Sequence, residues 1–311
     1  MASALGTVPP VSKLRTYASF VRFEHTLFSL PLILAGVFSA PGAPLDATRW
    51  LLIALAAVGA RTSAMAMNRL IDRRLDALNP RTRGRELPSG AMKLGEAVAL
   101  LVVSLAAYVA ACAALGPWYL RVSPVPLAAF AIYPWLKRFT PLCHLGVGAA
   151  LALAPLAGFA AAHPDLERPA AALWIAGFAL AWVTGFDIIY ATLDEASDRE
   201  QGVHSLVVRL GRERALRVSA LLHRLAALLL APAVVAILGY APGGATAHAN
   251  ALIGSFALLV AVAVLLSLEQ RWAEDVNLAF FKTNVVVGFV VLATVLAARM
   301  ATGGFAAWPG S

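Results

Sequence analysis

The sequence predicts an all-α integral membrane protein in which nine transmembrane helices form one bundle around a central cavity. The first observation is composition: 60% of the residues are apolar and only 14% are charged. A soluble domain carries roughly 25% charged residues, so this composition indicates a membrane protein. The second observation is a series of long apolar runs, most of them near the roughly 20 residues that a helix needs to cross a bilayer. Membrane-barrel strands are excluded because these runs do not alternate between polar and apolar residues.

The predicted spans are joined by short connections, except after the second and the sixth, where longer polar loops occur. The spans cover residues 17–40, 47–67, 94–115, 122–136, 142–162, 170–190, 215–238, 251–268 and 278–299. We interpret residues 1–311 as a single transmembrane domain. Residues 1–12 are small and polar, so we expect them to be a disordered N-terminal segment.

Basic residues in the loops and at the span ends are concentrated on one side of the membrane if the N-terminus is cytoplasmic. The opposite loops and the C-terminal end then hold only Arg49, Arg121, Arg168 and Arg299. The positive-inside rule therefore predicts a cytoplasmic N-terminus and a C-terminus on the opposite side. Cytoplasmic loops near anionic headgroups account for the net charge of +8, so we expect the lipid bilayer as a partner and no nucleic acid.

The first long loop begins with polar residues at helical spacing. Asn68, Asp72 and Asp76, here called the first acidic row, are spaced i, i+4 and i+8. On a helix these residues share one face, with about 6 Å of axial rise per step. The row therefore predicts oxygen ligands aimed toward the cytoplasmic side.

The second long loop repeats this pattern. Asp187, Asp194 and Asp198, here called the second acidic row, fall with Tyr190 on one narrow face if the helix continues through them. Two helices are thus predicted to present carboxylates to the same side of the membrane. The resemblance between the two loops also suggests an internal repeat.

Stacked carboxylates need a counter-charge. Like charges one turn apart repel by several tenths of a kcal/mol, and a charge at mid-helix in lipid costs about 2.5–3.5 kcal/mol on insertion scales. Oxygen ligands favour hard cations, and Mg²⁺ prefers one or two carboxylates together with water and substrate phosphates. One row alone would favour an interfacial anchor or a solvated ion-pair network. Two rows of like spacing favour Mg²⁺ ions that hold a diphosphate between them.

These rows and several shorter segments resemble the UbiA superfamily of intramembrane prenyltransferases. The first acidic row has the family's Asn-x-x-x-Asp-x-x-x-Asp pattern, and Asp194 and Asp198 match its second motif. The further matches keep the family's order: Arg61, RELPSG at 85–90, YPWLKR at 133–138, GVHS at 202–205 and RLG at 209–211.

One position and one segment differ from the commoner superfamily pattern, and they indicate one branch of the superfamily. Arg69 stands where many members have Asp, and the segment 22–31 differs from the commoner N-terminal pattern. Both features resemble the 4-hydroxybenzoate polyprenyltransferase-like branch, which includes enzymes of the futalosine menaquinone route.

The resemblance implies Mg²⁺-dependent transfer of a polyprenyl group from polyprenyl diphosphate to an aromatic acceptor. The expected acceptor is 4-hydroxybenzoate or a related hydroxyaromatic acid, in ubiquinone or menaquinone biosynthesis, and the expected location is the bacterial inner membrane with the site on the cytoplasmic side. The implied metal ligands are Asn68, Asp72, Asp76, Asp194 and Asp198, with Asp187 as a further catalytic residue. The implied substrate-binding residues are Arg22, His25, Arg61, Tyr133, Lys137, Arg138, Tyr190 and His204.

Simpler interpretations of the substrate-binding residues stay open. Lys137 and Arg138 could follow only the positive-inside rule, and Arg61 could form a salt bridge to an Asp of the rows. Tyr190 could serve only in packing. His25 could be an interfacial partner of Glu24, and His204 could be a solvated loop histidine.

Other functions stay open as well. Prenyl transfer to a haem, chlorophyllide or lipid-type acceptor would use the same donor chemistry. A cation-coupled transporter would also place acidic groups in the membrane, but near mid-span rather than at cytoplasmic helix ends. A non-catalytic scaffold does not account for so many matched polar positions.

Overall fold

The computed structural model describes residues 13–22, 26–42, 45–239, 245–271 and 279–301, and all regular secondary structure in these ranges is helical. The segment 1–12 and His25 lie outside the described residues. The helices are α1 (Lys13–Phe20), α2 (Thr26–Val37), α3 (Ala47–Leu78), α4 (Leu94–Leu115), α5 (Pro117–Val122), α6 (Pro124–Leu136), α7 (Cys143–Ala162), α8 (Ala170–Ala191), α9 (Glu195–Glu200), α10 (Leu206–Leu210), α11 (Arg212–Gly239), α12 (Ala245–Arg271) and α13 (Ala279–Ala301).

Within the described residues, six helices are long and apolar enough to cross a membrane: α3, α4, α7, α8, α11 and the Lys282–Met300 part of α13. The predicted number of nine spans is therefore not confirmed. Helix α2 has 12 residues and α6 has 13, both fewer than the roughly 20 that a perpendicular span requires. The predicted central cavity stays a prediction.

The predicted first span, 17–40, is two helices rather than one. Helix α1 ends at Phe20, and α2 begins at Thr26. Arg22 between them has a φ of +48°. A side chain in this left-handed region interrupts a right-handed helix, so α1 does not continue through Arg22.

Helix α3 extends beyond the predicted span 47–67. The Asp46 side chain caps its first turn by accepting a hydrogen bond from the Arg49 amide at 2.6 Å. Its 32 residues extend about 48 Å at 1.5 Å per residue, whereas the hydrocarbon core is about 30 Å thick. The C-terminal end of α3, which carries the first acidic row, therefore reaches past the apolar region.

Helix α8 lies at the centre of the bundle, where it packs mainly against α7 and α11. In its apolar window 72% of the residues are buried, against 22–50% for the other five candidate spans. Its Phe178 and Trp182 are fully buried in the main core with Leu230 of α11 and Val291 of α13. The indole Nε1 of Trp182 donates to Asn284 Oδ1 at 2.9 Å, so this apolar core also contains a satisfied polar link to α13.

Helices α2 and α7 cross at two glycines. A Cβ atom at Gly36 would lie 1.9 Å from the Pro155 carbonyl oxygen, and one at Gly158 would lie 2.1 Å from that of Ile33. The two backbones can approach this closely only because neither glycine has a side chain. Small residues have the same use at helix interfaces in membranes generally.

Candidate active site

The first acidic row is buried at the C-terminal end of α3. Asp72 is 2% exposed, and Lys137 Nζ donates to its Oδ2 at 2.6 Å. Arg138 reaches Oδ1 of the same carboxylate at 3.4 Å, and the amide nitrogen of Asn68 reaches Oδ2 at 3.3 Å. A buried charge with these donors is paired and hydrogen-bonded, as a stable buried carboxylate requires.

Asp76, one turn further along, has its own partner. It is 6% exposed, and Arg85 donates from Nη1 to its Oδ1 at 2.7 Å. Arg85 opens the RELPSG segment that follows α3. The loop after the first row therefore folds back on that row.

The second acidic row does not lie on one helix, so the predicted single face is wrong for this row. Helix α8 ends at Ala191, Asp194 is the N-cap residue of α9, and Asp198 lies inside α9. The Leu193 amide donates to the Tyr190 carbonyl, and the Asp194 amide donates to the Ala191 carbonyl. These i to i−3 bonds tighten the chain into a turn, which separates Asp194 and Asp198 from the face that carries Asp187.

Arg81 joins the two rows. It follows Asp76 by five positions in the chain, and its Nε and Nη2 atoms donate to the two carboxylate oxygens of Asp194. Its Nη1 donates to the Tyr190 hydroxyl at 2.6 Å, and its guanidinium carbon lies 4.7 Å from the Tyr190 ring centroid. Asn79 also donates to Asp194, at 2.7 Å. The loop after the first row is thus held to the second row.

Asp198 is influenced by Asp194 and by basic residues that bind one or the other row. Burial raises the pKa of Asp198 to about 6, and the negative charge of Asp194 adds to this effect. Lys137 and Arg81 act in the opposite direction. Because Lys137 also binds Asp72, its ammonium group acts electrostatically on both rows.

Tyr133 of α6 lies beside the first row. Its side chain interacts with Asn68, Asp72, Arg61 and Asp187. Arg61 is about two turns before Asn68 on α3. These residues therefore surround one region between α3, α6 and α8.

Asp187 is held by a histidine that sequence reasoning missed. His144 Nδ1 lies 2.6 Å from Asp187 Oδ2, and the His144 residue is 3% exposed. Arg81 was likewise not assigned to the site from the sequence. For Arg81, the only available signal was its position five residues after Asp76. For His144, it was the occurrence of a histidine soon after the YPWLKR segment.

The other residues predicted to bind substrate are Arg22, His204 and His25. Arg22 lies near Arg69 of α3, on whose guanidinium it acts electrostatically. His204 has an exposed side chain, while its backbone amide donates to the Lys137 carbonyl at 2.7 Å. His25, outside the described residues, stays a prediction.

The donor set fits a hard cation with a phosphate ligand. No group of three or more His, Cys, Asp or Glu side chains close enough to hold a metal occurs in the part of the chain that the structure describes. Mg²⁺ needs only one or two carboxylates, because water and substrate phosphates complete its coordination. The buried oxygens of Asp72 and Asp76 meet this requirement, and Arg and Lys provide the positive charge beside them.

Comparison with known proteins identifies the family. The model of the UbiA prenyltransferase family matches residues 29–286. The chain belongs to the UbiA prenyltransferase family. UbiA membership and the candidate spans show an integral membrane protein and a prenyltransferase, similar to the 4-hydroxybenzoate polyprenyltransferases.

Two relatives of the chain are named 4-hydroxybenzoate octaprenyltransferase. The protein from Yersinia enterocolitica is 30% identical over 223 residues, 70% of this chain and 76% of the relative. The protein from Sodalis glossinidius is 30% identical over 236 residues, 76% of this chain and 78% of the relative.

Solved structures of UbiA homologues have the same fold. The apo structure of a homologue from Aeropyrum pernix K1 is 32% identical, has a TM-score of 0.74, and is matched over 88% of this chain and 97% of that chain. A homologue from Archaeoglobus fulgidus, bound to GPP and Mg²⁺, is 18% identical with a TM-score of 0.68, over 93% of this chain and 99% of that chain. The second likeness concerns the fold alone.

Proposed function

We propose that this UbiA protein transfers a polyprenyl group from polyprenyl diphosphate to 4-hydroxybenzoate or a related hydroxyaromatic acid, in ubiquinone or menaquinone biosynthesis. The observation that carries the proposal is the link between the two acidic rows through Arg81 and Lys137. Buried carboxylates beside lysine and arginine side chains suit an anionic diphosphate that binds together with a divalent metal. The names of the relatives support the hydroxybenzoate acceptor.

The acidic rows would hold the metal. Asn68, Asp72 and Asp76 from α3, with Asp194 and Asp198 from the α8–α9 turn, supply the oxygen atoms. Bound Mg²⁺ supplies Lewis-acid stabilisation of the charge that develops on the diphosphate leaving group. A cation beside Asp198, whose pKa burial raises to about 6, would stabilise the ionised carboxylate.

The basic residues would bind the diphosphate. Lys137, Arg138 and Arg81 now neutralise the carboxylates. With metal held by the carboxylates, these three side chains would be available to donate to phosphate oxygens, and the Arg81 guanidinium would do so through two parallel hydrogen bonds. Tyr190 keeps the Arg81 guanidinium aligned through its hydroxyl and its ring.

The acceptor would lie on the bundle side of this head-group site. Arg61, with Arg22 and His25 near the N-terminal end, offers positive charge to the carboxylate of a hydroxybenzoate. Tyr133 borders the same region. The apolar helices would exclude water, which would otherwise capture the allylic carbocation, and would hold the isoprenoid tail beside lipid.

The orientation follows from charge. We propose a cytoplasmic N-terminus and cytoplasmic site, with the C-terminus opposite, in a bacterial inner membrane. Arg81, Arg85, Lys137 and Arg138 all belong to the end of the bundle that carries the rows, which agrees with the positive-inside rule.

A transfer assay tests the proposal. Purified protein in detergent receives Mg²⁺, a polyprenyl diphosphate and a panel of hydroxyaromatic acids, with haem and a glycerol phosphate as competing acceptor classes. Mass spectrometry should detect a prenylated hydroxyaromatic acid, which EDTA abolishes. Product formed only with haem or the glycerol phosphate would overturn the acceptor, and transfer that persists in EDTA would overturn the metal dependence.

A further inference from the structure

His144 occupies an unusual position for a histidine. It is the second residue of α7, it is 3% exposed, and it faces α8 rather than solvent. Its two ring nitrogens contact different elements: Nδ1 contacts Asp187 of α8, and Nε2 contacts the first residue of α10. A buried ring with both nitrogens engaged has a defined orientation.

The contact to α10 fixes the tautomer. The Leu206 backbone amide, which can only donate, points at His144 Nε2 with a distance of 3.3 Å. Nε2 must therefore be the unprotonated, accepting nitrogen, and the proton of the neutral ring lies on Nδ1. Nδ1 then donates to Asp187 Oδ2 at 2.6 Å, a distance typical of a charge-assisted hydrogen bond.

The same histidine fixes the loop after the second row. Leu206 begins α10, so its amide has no acceptor within the helix. The Ser205 hydroxyl accepts from Val208, which leaves the Leu206 amide to His144. Further bonds hold this loop, from the His204 amide to the Lys137 carbonyl at 2.7 Å and from the Cys143 thiol to the His204 carbonyl at 3.3 Å.

Asp187 is partly open on its other side. Its side chain is 26% exposed. Among the described residues, Oδ1 has no hydrogen-bond partner, whereas Oδ2 is bound by His144. One oxygen is thus fixed by the protein, and the carboxylate is close enough to Tyr133 to act on it electrostatically.

We propose that His144 is a positioning residue for prenyl transfer: it holds the Asp187 carboxylate in one orientation for the substrates and ties that orientation to the loop 201–205. The proposal rests on the proposed function of the site. His144 itself does not touch the substrates, because Asp187 and the loop lie on either side of its ring. Its contribution is the Nδ1 proton donated to Asp187 and the lone pair offered to Leu206.

Two substitutions separate the two contacts. In His144→Asn, the amide nitrogen takes the place of Nδ1, so the donor to Asp187 is kept while the acceptor for Leu206 is lost. In His144→Gln, the longer side chain reaches the place of Nε2, so the contact to Leu206 is kept and the donor to Asp187 is lost. Loss of the hydrogen-bond partner of a metal ligand lowers activity about 10- to 100-fold, and we expect an effect of that size for the partner of Asp187.

A double-mutant cycle on kcat tests the role. We expect His144→Gln to lower kcat by about 10- to 100-fold with little change in the KM of the diphosphate, and His144→Asn to retain most of the wild-type kcat. His144→Gln combined with Asp187→Asn should lose no more than Asp187→Asn alone, since the pair acts as a unit. Additive losses, or equal losses in the Asn and Gln variants, would overturn the proposal.

A spectroscopic measurement is independent of activity. In protein labelled with ¹⁵N at histidine, the resonance absent from His144→Asn should have a protonated Nδ1 and an unprotonated Nε2, and Asp187→Asn should disturb this tautomer. The opposite tautomer in the wild type would overturn the proposal. A wild-type protein that has this tautomer but transfers no prenyl group would instead overturn the proposed function.

Discussion

The two acidic rows differ in how the chain builds them. The first lies on α3, an uninterrupted helix of 32 residues, and Asp72 and Asp76 are 2% and 6% exposed. The second spans the end of α8, a turn and the six-residue helix α9.

This difference separates a rigid half of the site from an adjustable half. Backbone hydrogen bonds fix the spacing within the first row. Both rows have side-chain partners from other elements, but no single helix fixes the spacing of the second row, where Arg81 holds Asp194 and His144 holds Asp187. We therefore expect the loss of a partner to displace a carboxylate of the second row more than one of the first.

Removal of one carboxylate from either row should have the largest effect. Asp72→Asn and Asp194→Asn should each lower kcat by about 100- to 1,000-fold, as does loss of one preorganised charge-stabilising group elsewhere. The matched control is Asp165→Asn, an exposed aspartate in the loop between α7 and α8. Near-normal transfer in either row variant would remove that row from the site.

Removal of the link between the rows should have the next largest effect. Arg81→Ala breaks a bidentate pair with Asp194. Truncating one partner of such a charge pair typically costs about 2 kcal/mol or more, which corresponds to about a 30-fold change in an equilibrium constant. We expect kcat/KM for the diphosphate to fall by about this factor. Arg83→Ala, at an exposed position two residues away, is the control; similar losses in both variants would attribute the effect to net charge alone.

A packing change far from the rows should affect stability rather than chemistry. In Gly36→Ala the new Cβ atom would lie 1.9 Å from the Pro155 carbonyl oxygen, so α2 and α7 must move apart. Overpacking of this kind costs about 1–3 kcal/mol, and thermal melting in detergent should occur at a lower temperature. Gly95→Ala, where a Cβ atom meets nothing within 4 Å, should melt at or slightly above the wild-type temperature; equal melting of all three proteins would contradict the close crossing.

The smallest expected effect concerns pH at the end of the bundle opposite the rows. Burial lowers the pKa of His163 below its ordinary 6.5, while Nε2 lies 3.1 Å from the Val37 carbonyl oxygen. The folded protein thus favours the neutral ring, so this contribution to stability is complete above pH 6.5 and is lost as the pH falls below that value.

A comparison of melting temperatures across pH isolates this residue. His163→Gln keeps an amide that can donate to Val37 but does not titrate. Its melting temperature should therefore fall less steeply than that of the wild type as the pH decreases from 7 to 5 (about the range over which histidine changes charge). Parallel curves for the two proteins would show that His163 is equally hydrated in the folded and unfolded states.

The sequence was most informative where one local rule decides the structure. Helical spacing alone places Asn68, Asp72 and Asp76 on one face, and α3 continues through all three. Hydropathy likewise located the long helices. It could not establish the number of spans, because α2 and α6 are short and hydropathy does not report where a helix is interrupted.

The second row could not be predicted in the same way. The turn at 191–194 depends on where Asp194 finds its partners, and those partners, Asn79 and Arg81, are more than 100 positions away in the chain. The role of His144 has the same origin, since its partner Asp187 is 43 positions away. Periodicity describes neighbours along a helix and carries no information on such distant pairs.

Metal binding measured without turnover tests most directly whether both rows form one site. Mn²⁺, titrated in place of Mg²⁺ and followed by electron paramagnetic resonance, should bind more tightly when inorganic pyrophosphate is present. Asp72→Asn and Asp194→Asn should each abolish that enhancement, whereas Asp165→Asn should preserve it. If the enhancement persisted in full when either row was changed, the two rows would not act on a shared diphosphate.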